Sequence, residues 1–238
     1  MKEKRIFKDP AQLAQAFTDF LLEEIGGQSN YHLALSGGST PKALFQMWSA
    51  EHASKKEWHN VHFYWGDERC VPPTDPQSNY GVANELFFHH FNSHFHHMHI
   101  HRMKGEDDPQ KEAKRYGDLL LHKLDQDGGW PVFDMIILGM GTDGHTASIF
   151  PHESHLISSG DVCAVATHPE SGQNRVTLTG EVLRRARKVV FLVTGASKTE
   201  KINAIWNVTD DSANYPATWV HQHAQHVIWY MDEAAARE

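Results

Sequence analysis

A histidine and an aspartate stand two residues apart in the run Gly139-Met140-Gly141-Thr142-Asp143-Gly144-His145. An unperturbed imidazole titrates at about pH 6.5, so it can take a proton from water near neutrality. A neighbouring carboxylate can orient the ring or stabilise its protonated form. Three glycines let the backbone turn tightly and approach a ligand closely. The run follows an apolar stretch, residues 135–138, that reads as a buried strand. Ligands of open α/β sheets bind beyond the carboxyl ends of such strands. His145 is therefore the candidate general base and Asp143 its partner. Thr142 and Asp143 are also placed to cap a helix over residues 146–150. No nucleophile elbow and no Ser/His/Asp order is present, so base-activated water is the simpler chemistry.

A second group of residues suits an anion. Ser36-Gly37-Gly38-Ser39-Thr40-Pro41 offers backbone N–H groups at Gly37 and Gly38 and hydroxyls at Ser39 and Thr40. The helix expected from Pro41 points its positive end at the same place. The run is neither a Walker A loop nor a GxGxxG fingerprint. An ordinary capped helix start would need only Thr40 before Pro41; the double glycine favours a phosphate cradle. Asp67 and Arg69 follow an apolar stretch directly, Arg175 opens a strand, and Lys198 opens a helix after a glycine turn. Surface arginines are mostly solvated. Their placement at strand and helix ends groups these cations, and guanidinium matches phosphate in two-point geometry.

Histidines also crowd residues 89–101: His89, His90, His94, His96, His97, His99 and His101. Partners at structural-zinc spacing are missing, and HExxH is absent. A strand over 98–103 would turn His97, His99 and His101 to one solvent-facing side. No metal and no cofactor is assigned.

The elements that must position these residues alternate along the chain. Strands are expected at 31–35, 61–65, 135–138, 162–166, 175–178, 189–193 and 226–231. Helices are expected at 9–25, with Asp9 as cap and Pro10 at the first position, and at 41–49, 79–88, 109–124, 181–186 and 198–207. Alternation of this kind predicts an α/β fold, a mostly parallel open sheet with helices on both faces, in one domain over 1–238. The turns at 36–40, 66–69, 139–145 and 195–198 would then share one edge of the sheet.

Composition narrows the partners. The 238 residues carry a net charge of −8, which disfavours nucleic acid and acidic membrane surfaces. Two cysteines, Cys70 and Cys163, fit a reducing compartment rather than a disulfide framework. No signal-like or membrane-length apolar run is present. The expectation is a cytoplasmic protein, a monomer or small homo-oligomer, acting on a small molecule.

At these residues the chain resembles the 6-phosphogluconolactonases of the glucosamine-6-phosphate isomerase/6-phosphogluconolactonase family. The resemblance rests on Leu35-Ser36-Gly37-Gly38-Ser39-Thr40-Pro41, on Trp65-Gly66-Asp67-Glu68-Arg69 with Val71-Pro72 and Ser78-Asn79-Tyr80, on 139–151, and on 175–179 with Thr194-Gly195-Ala196-Ser197-Lys198. It covers almost the whole chain. It implies the fold shared by glucosamine-6-phosphate deaminases, ribose-5-phosphate isomerase and CoA transferases. It also implies hydrolysis of 6-phospho-D-glucono-1,5-lactone to 6-phosphogluconate, in the oxidative pentose phosphate pathway, without metal or cofactor. Carried over, His145 is the base and Asp143 its neighbour, while Arg69, Arg175 and Lys198, with the 37–40 turn, hold the phosphate or sugar oxygens. The alternatives are a deaminase and a non-catalytic sugar-phosphate sensor. The deaminases place a glutamate where this chain has Phe150, which cannot transfer a proton. Sensors on this fold carry an added DNA-binding segment, for which there is no room before Tyr31.

Overall fold

Asp9 accepts a hydrogen bond from the Gln12 N–H at 2.9 Å, and Pro10 follows as the first helical residue. That cap starts α1 (Pro10–Gly26), whose buried stripe is Leu13, Phe17, Leu21 and Ile25. The computed structural model describes residues 1–237. In chain order it contains β1 (Lys2–Phe7), α1, β2 (Tyr31–Leu35), α2 (Ser39–Met47), β3 (Val61–Trp65), β4 (Asp67–Arg69), α3 (Asn79–Leu86), α4 (Ser93–His99) and α5 (Pro109–Lys123). Then come β5 (Asp125–Asp127), β6 (Trp130–Val132), β7 (Met135–Leu138), β8 (Cys163–Thr167), β9 (Asn174–Leu178), α6 (Gly180–Arg185), β10 (Lys188–Val193), α7 (Thr199–Asn207), α8 (Pro216–His223) and β11 (Val227–Asp232).

Six strands form a parallel sheet in the order β1-β11-β10-β7-β2-β3. Side chains alternate across it, because successive residues of a strand point to opposite faces. Ile136, Leu138, Phe191 and Trp229 join the core on one face; Met135, Ile137, Val190 and Tyr230 join the core on the other. Burial on both faces explains why these strands read as continuous apolar runs rather than alternating ones.

The sheet is mostly parallel and flanked by helices, as expected, but it does not hold every strand. β4, β9 and β8 form a separate antiparallel sheet, and β5 pairs with β6 in a hairpin. The two larger sheets are joined at Gly66, whose N–H donates to Leu35 O at 2.8 Å and whose carbonyl accepts from Leu178 N at 2.8 Å.

Two local expectations are corrected. Residues 146–150 are not helical. Ala147 sits at φ 49, Thr146 pairs with Ile149 in an isolated bridge, and the Thr146 hydroxyl donates to Gly139 O at 2.8 Å. Side-chain bonds of this kind compete with a helix, and Pro151 disfavours helical backbone at Phe150. Residues 98–103 are not a strand either. Asn92 caps α4, which runs to His99, and only Ile100 bridges Phe63. His101 is buried against Tyr64, with ring centroids 4.6 Å apart, and does not face solvent. Among the described residues no three His, Cys, Asp or Glu side chains converge as a metal site, and no helix is long and apolar enough to cross a membrane.

Candidate active site

β7 ends at Leu138 and the chain turns back over the carboxyl edge of the sheet. The turn is closed by Gly141 N–H donating to His145 O at 2.9 Å, and it is tied to α8 by Ala217 N–H donating to Gly144 O at 3.1 Å. Asp143 Oδ1 accepts from the His145 backbone N–H at 3.1 Å and lies 2.6 Å from His145 Nδ1. An ionised carboxylate only accepts hydrogen bonds, so Nδ1 is the donor in this pair and Nε2 is the ring nitrogen left for a bound molecule. Burial works to raise the Asp143 pKa. The bonds from the His145 ring and N–H, and the imidazolium charge, outweigh it and hold the carboxyl at about 2. Phe150, fully buried, packs on the imidazole with ring centroids 4.8 Å apart. Asp143 is thus a partner of His145 rather than a helix cap.

His145 lines a cavity of about 280 Å³ at the carboxyl ends of β2, β7 and β10. Gly37, Gly38, Ser39 and Thr40 form one wall. α2 begins at Ser39, two residues before Pro41, and Gly38 has no side chain to cap it. The first N–H groups of a helix have no partner within it, so this wall presents free donors and the positive end of the helix dipole. The Thr40 hydroxyl meets that of Thr194 at 3.0 Å, which ties this wall to the end of β10.

The second sheet supplies the opposite wall. Arg69 on β4 and Arg175 on β9 are register partners, and both line the cavity. Arg69 stands on a strand of the antiparallel sheet, not in a turn along the edge of the parallel one, whereas Arg175 lies at the start of a strand as expected. Arg69 Nη1 donates to Gln77 O at 2.6 Å, and the Nε of each arginine is buried without a partner. Burial first, then the Arg69 charge, lowers the Arg175 pKa. Asp67 lines the cavity as well, and its Oδ2 accepts from the Ser148 hydroxyl at 2.6 Å. Lys198 closes the site from the turn after β10, and burial lowers its pKa against the pull of Asp143. That turn is pinned by Asp232, which accepts from Gly195 N–H at 3.0 Å.

Every residue expected to bind or react therefore lies at one cavity, with Asp143 behind His145. Asn79 and Thr194 line the cavity, Ser148 and Asp232 brace residues around it, and none of the four was singled out as a site residue from sequence. Asn79, Ser148 and Thr194 lie inside the motifs that carried the resemblance, so a signal was present. Asp232 gave none: it is the last residue of an apolar strand.

The arrangement can hold an oxyanion between a helix N-terminus and three cations, and can present Nε2 of His145 to the bound molecule. Residues 8–229 match the model of the family described as glucosamine-6-phosphate isomerases/6-phosphogluconolactonase. The 6-phosphogluconolactonase of Haemophilus influenzae is 41% identical over 229 residues, covering 94% of this chain and 96% of that protein. Among solved structures, one described as devB protein superposes with a TM-score of 0.92 at 41% identity, covering 99% of this chain and 98% of that one. The 6-phosphogluconolactonase of Trypanosoma brucei superposes with a TM-score of 0.87 at 28% identity, covering 99% and 98%.

Proposed function

This chain belongs to the glucosamine-6-phosphate isomerase/6-phosphogluconolactonase family, and we propose that it hydrolyses 6-phospho-D-glucono-1,5-lactone to 6-phosphogluconate, with His145 as general base. The observation that carries this reading is the Asp143–His145 pair at 2.6 Å, on a ring that lines the same cavity as Arg69 and Arg175.

The phosphate docks on the N–H groups of the 37–40 turn and on basic side chains of Arg69, Arg175 and Lys198. Asp67 accepts from a sugar hydroxyl. Binding energy from these remote groups fixes the lactone carbonyl near His145. Nε2 takes a proton from water as the water oxygen adds to C1. The negative charge that develops on the carbonyl oxygen falls to N–H groups of the glycine turns or to a nearby cation. The C1–ring oxygen bond then breaks. The histidinium returns its proton to the departing C5 oxygen, and the carboxylic acid formed at C1 releases its own proton to solvent. General-base assistance contributes roughly a hundred- to ten-thousandfold, which suits a reactive ester. Buried Phe150 offers no second proton-transfer group beside His145, which argues against a deaminase. The unpaired thiols of Cys70 and Cys163 support work in the reducing cytoplasm.

The test is acid release from freshly generated 6-phosphogluconolactone by wild type and His145→Asn, with and without EDTA. Rapid hydrolysis that is lost in the variant and unaffected by EDTA is expected. Hydrolysis abolished by EDTA, or unchanged in the variant, overturns the mechanism. No hydrolysis by wild type overturns the activity.

A further inference from the structure

β4 is only three residues long, and its alternation sends Asp67 and Arg69 toward the cavity and Glu68 away from it. Glu68 is 2% exposed. A buried carboxylate is costly unless its lone pairs are satisfied. Here four donors satisfy them, and none is a charged side chain. Oε1 accepts from the N–H groups of Arg69 at 2.8 Å and Asn79 at 2.7 Å. Oε2 accepts from the Ser78 hydroxyl at 3.0 Å and the Tyr80 N–H at 2.8 Å.

The start of α3 does not need this group as its cap. Ser78 already caps it, accepting from Gly81 N–H at 2.9 Å. What Glu68 adds is a tie between the strand that carries Arg69 and the residues that surround Arg69. The intervening loop ends at Gln77, whose carbonyl receives Arg69 Nη1. Asn79, held by its N–H, places its amide on the far side. Nδ2 donates to Asp67 O at 2.9 Å, and Oδ1 lies where a Cβ on Gly37 would come within 1.8 Å of it. One carboxylate therefore registers β4, the Gln77 carbonyl and the Gly37 wall against one another.

We propose that Glu68 is a positioning residue for the substrate's anionic group: it acts through Arg69 and Asn79 and sets affinity without touching the reacting atoms. The proposal rests on the reading of the cavity as a phosphosugar-lactone site. Neutralising the carboxylate leaves the catalytic pair intact, because neither Asp143 nor His145 contacts Glu68 among the hydrogen bonds of the described residues.

Glu68→Gln keeps the shape of the side chain but turns an NH2 group toward two donors. For the lactone, KM is expected to rise tenfold or more while kcat stays within threefold and the acid limb of the pH–kcat profile does not move. Inorganic phosphate, titrated calorimetrically, is expected to bind more weakly by a similar factor. A folded variant with unchanged KM and unchanged phosphate affinity overturns the proposal, as does a loss confined to kcat. Glu68→Asp keeps the charge but draws the carboxylate back from its four donors; it decides the matter if Glu68→Gln does not fold, with a several-fold rise in KM expected and an unchanged KM overturning. If wild type fails to hydrolyse the lactone, the activity reading falls, and the phosphate titration still tests Glu68 by itself.

Discussion

Arg69 and Arg175 oppose each other across the β4–β9 pair, and the Nε of each is buried without a hydrogen-bond partner. Like charges directly opposite on neighbouring strands cost stability. A doubly charged oxyanion between them reverses that cost, because each guanidinium can give it a charge-assisted bond of about 1.5–3 kcal/mol. Arg69→Ala or Arg175→Ala is expected to raise KM by about 10- to 100-fold with a smaller change in kcat. Inorganic phosphate is expected to raise the melting temperature of wild type, and of Arg175→Ala much less. Equal phosphate stabilisation of both proteins would show that the anion sits elsewhere.

Asp143 is held ionised by its bonds to His145, and in the proposed mechanism the two residues act together on the proton. His145→Asn is expected to lower kcat by about a hundred- to ten-thousandfold with little change in KM. Asp143→Asn keeps the base but replaces an acceptor-only carboxylate by an amide that can also turn its NH2 to Nδ1, so the tautomer is no longer fixed, and kcat is expected to fall by less. The depressed pKa of Asp143 also fixes a sign for stability. Its contribution is present above the unfolded value near 3.8 and drains as pH falls through about 2. Acid titration monitored by circular dichroism should show part of this loss disappear in Asp143→Asn; identical acid transitions in the two proteins would contradict it.

Gly141 leaves no space for a side chain. A Cβ there would lie 2.2 Å from His145 Nδ1 and 2.4 Å from Asp143 Oδ1. Gly141→Ala is therefore expected to separate the pair and to lower kcat by at least tenfold, toward the general-base contribution as a limit. Phosphate affinity, set on the other side of the cavity, should be retained. A calorimetric titration with inorganic phosphate beside steady-state kinetics checks both halves, and simultaneous loss of phosphate binding would mean that the whole cavity had collapsed.

Much of this geometry was legible where local chemistry decides it. β2, β3 and β7 have the bounds expected from short apolar runs ended by polar or glycine residues, and Asp9 with Pro10 marked the start of α1. β1 was not legible. Lys2, Glu3, Lys4 and Arg5 are four charged residues in a row with no strand pattern, and the strand exists because its backbone pairs with β11 at the other end of the chain. The antiparallel sheet was hidden for the same reason: the register that sets Arg69 against Arg175 is a long-range pairing. Asp67 and Arg69 were chosen for their charge, whereas Asn79 was not, because a neutral amide shows its role only through the bonds around it. The histidine run misled in its periodicity. Asn92 starts a helix there, and burial, not solvent, receives His101.

Those histidines give the remaining prediction. His62 stacks between His32, His99 and His101, with ring centroids 5.3, 4.8 and 5.4 Å away, and His62 Nδ1 lies 3.1 Å from His101 Nε2. That pair shares one proton when both rings are neutral; with both charged, two N–H groups would collide. Burial first, then the neighbouring histidines and Lys123, lowers His62 to about 4 and His101 to about 3. Asp134 and Asp125 draw charge toward His32, but burial prevails there too and its pKa is lowered. The unfolded chain therefore takes up protons first as pH falls below about 6.5. Stability from the stack is complete above that value and drains between 6.5 and the folded values near 4 and 3. Melting temperatures at pH 7.5 and pH 5.0 should differ by several degrees in wild type, at about 2–4 °C per kcal/mol for a chain of this length. His101→Phe keeps the stacking on Tyr64 and removes one titrating ring, so its melting temperature should fall less between the two pH values. An equal fall in both proteins would place the acid sensitivity outside the stack.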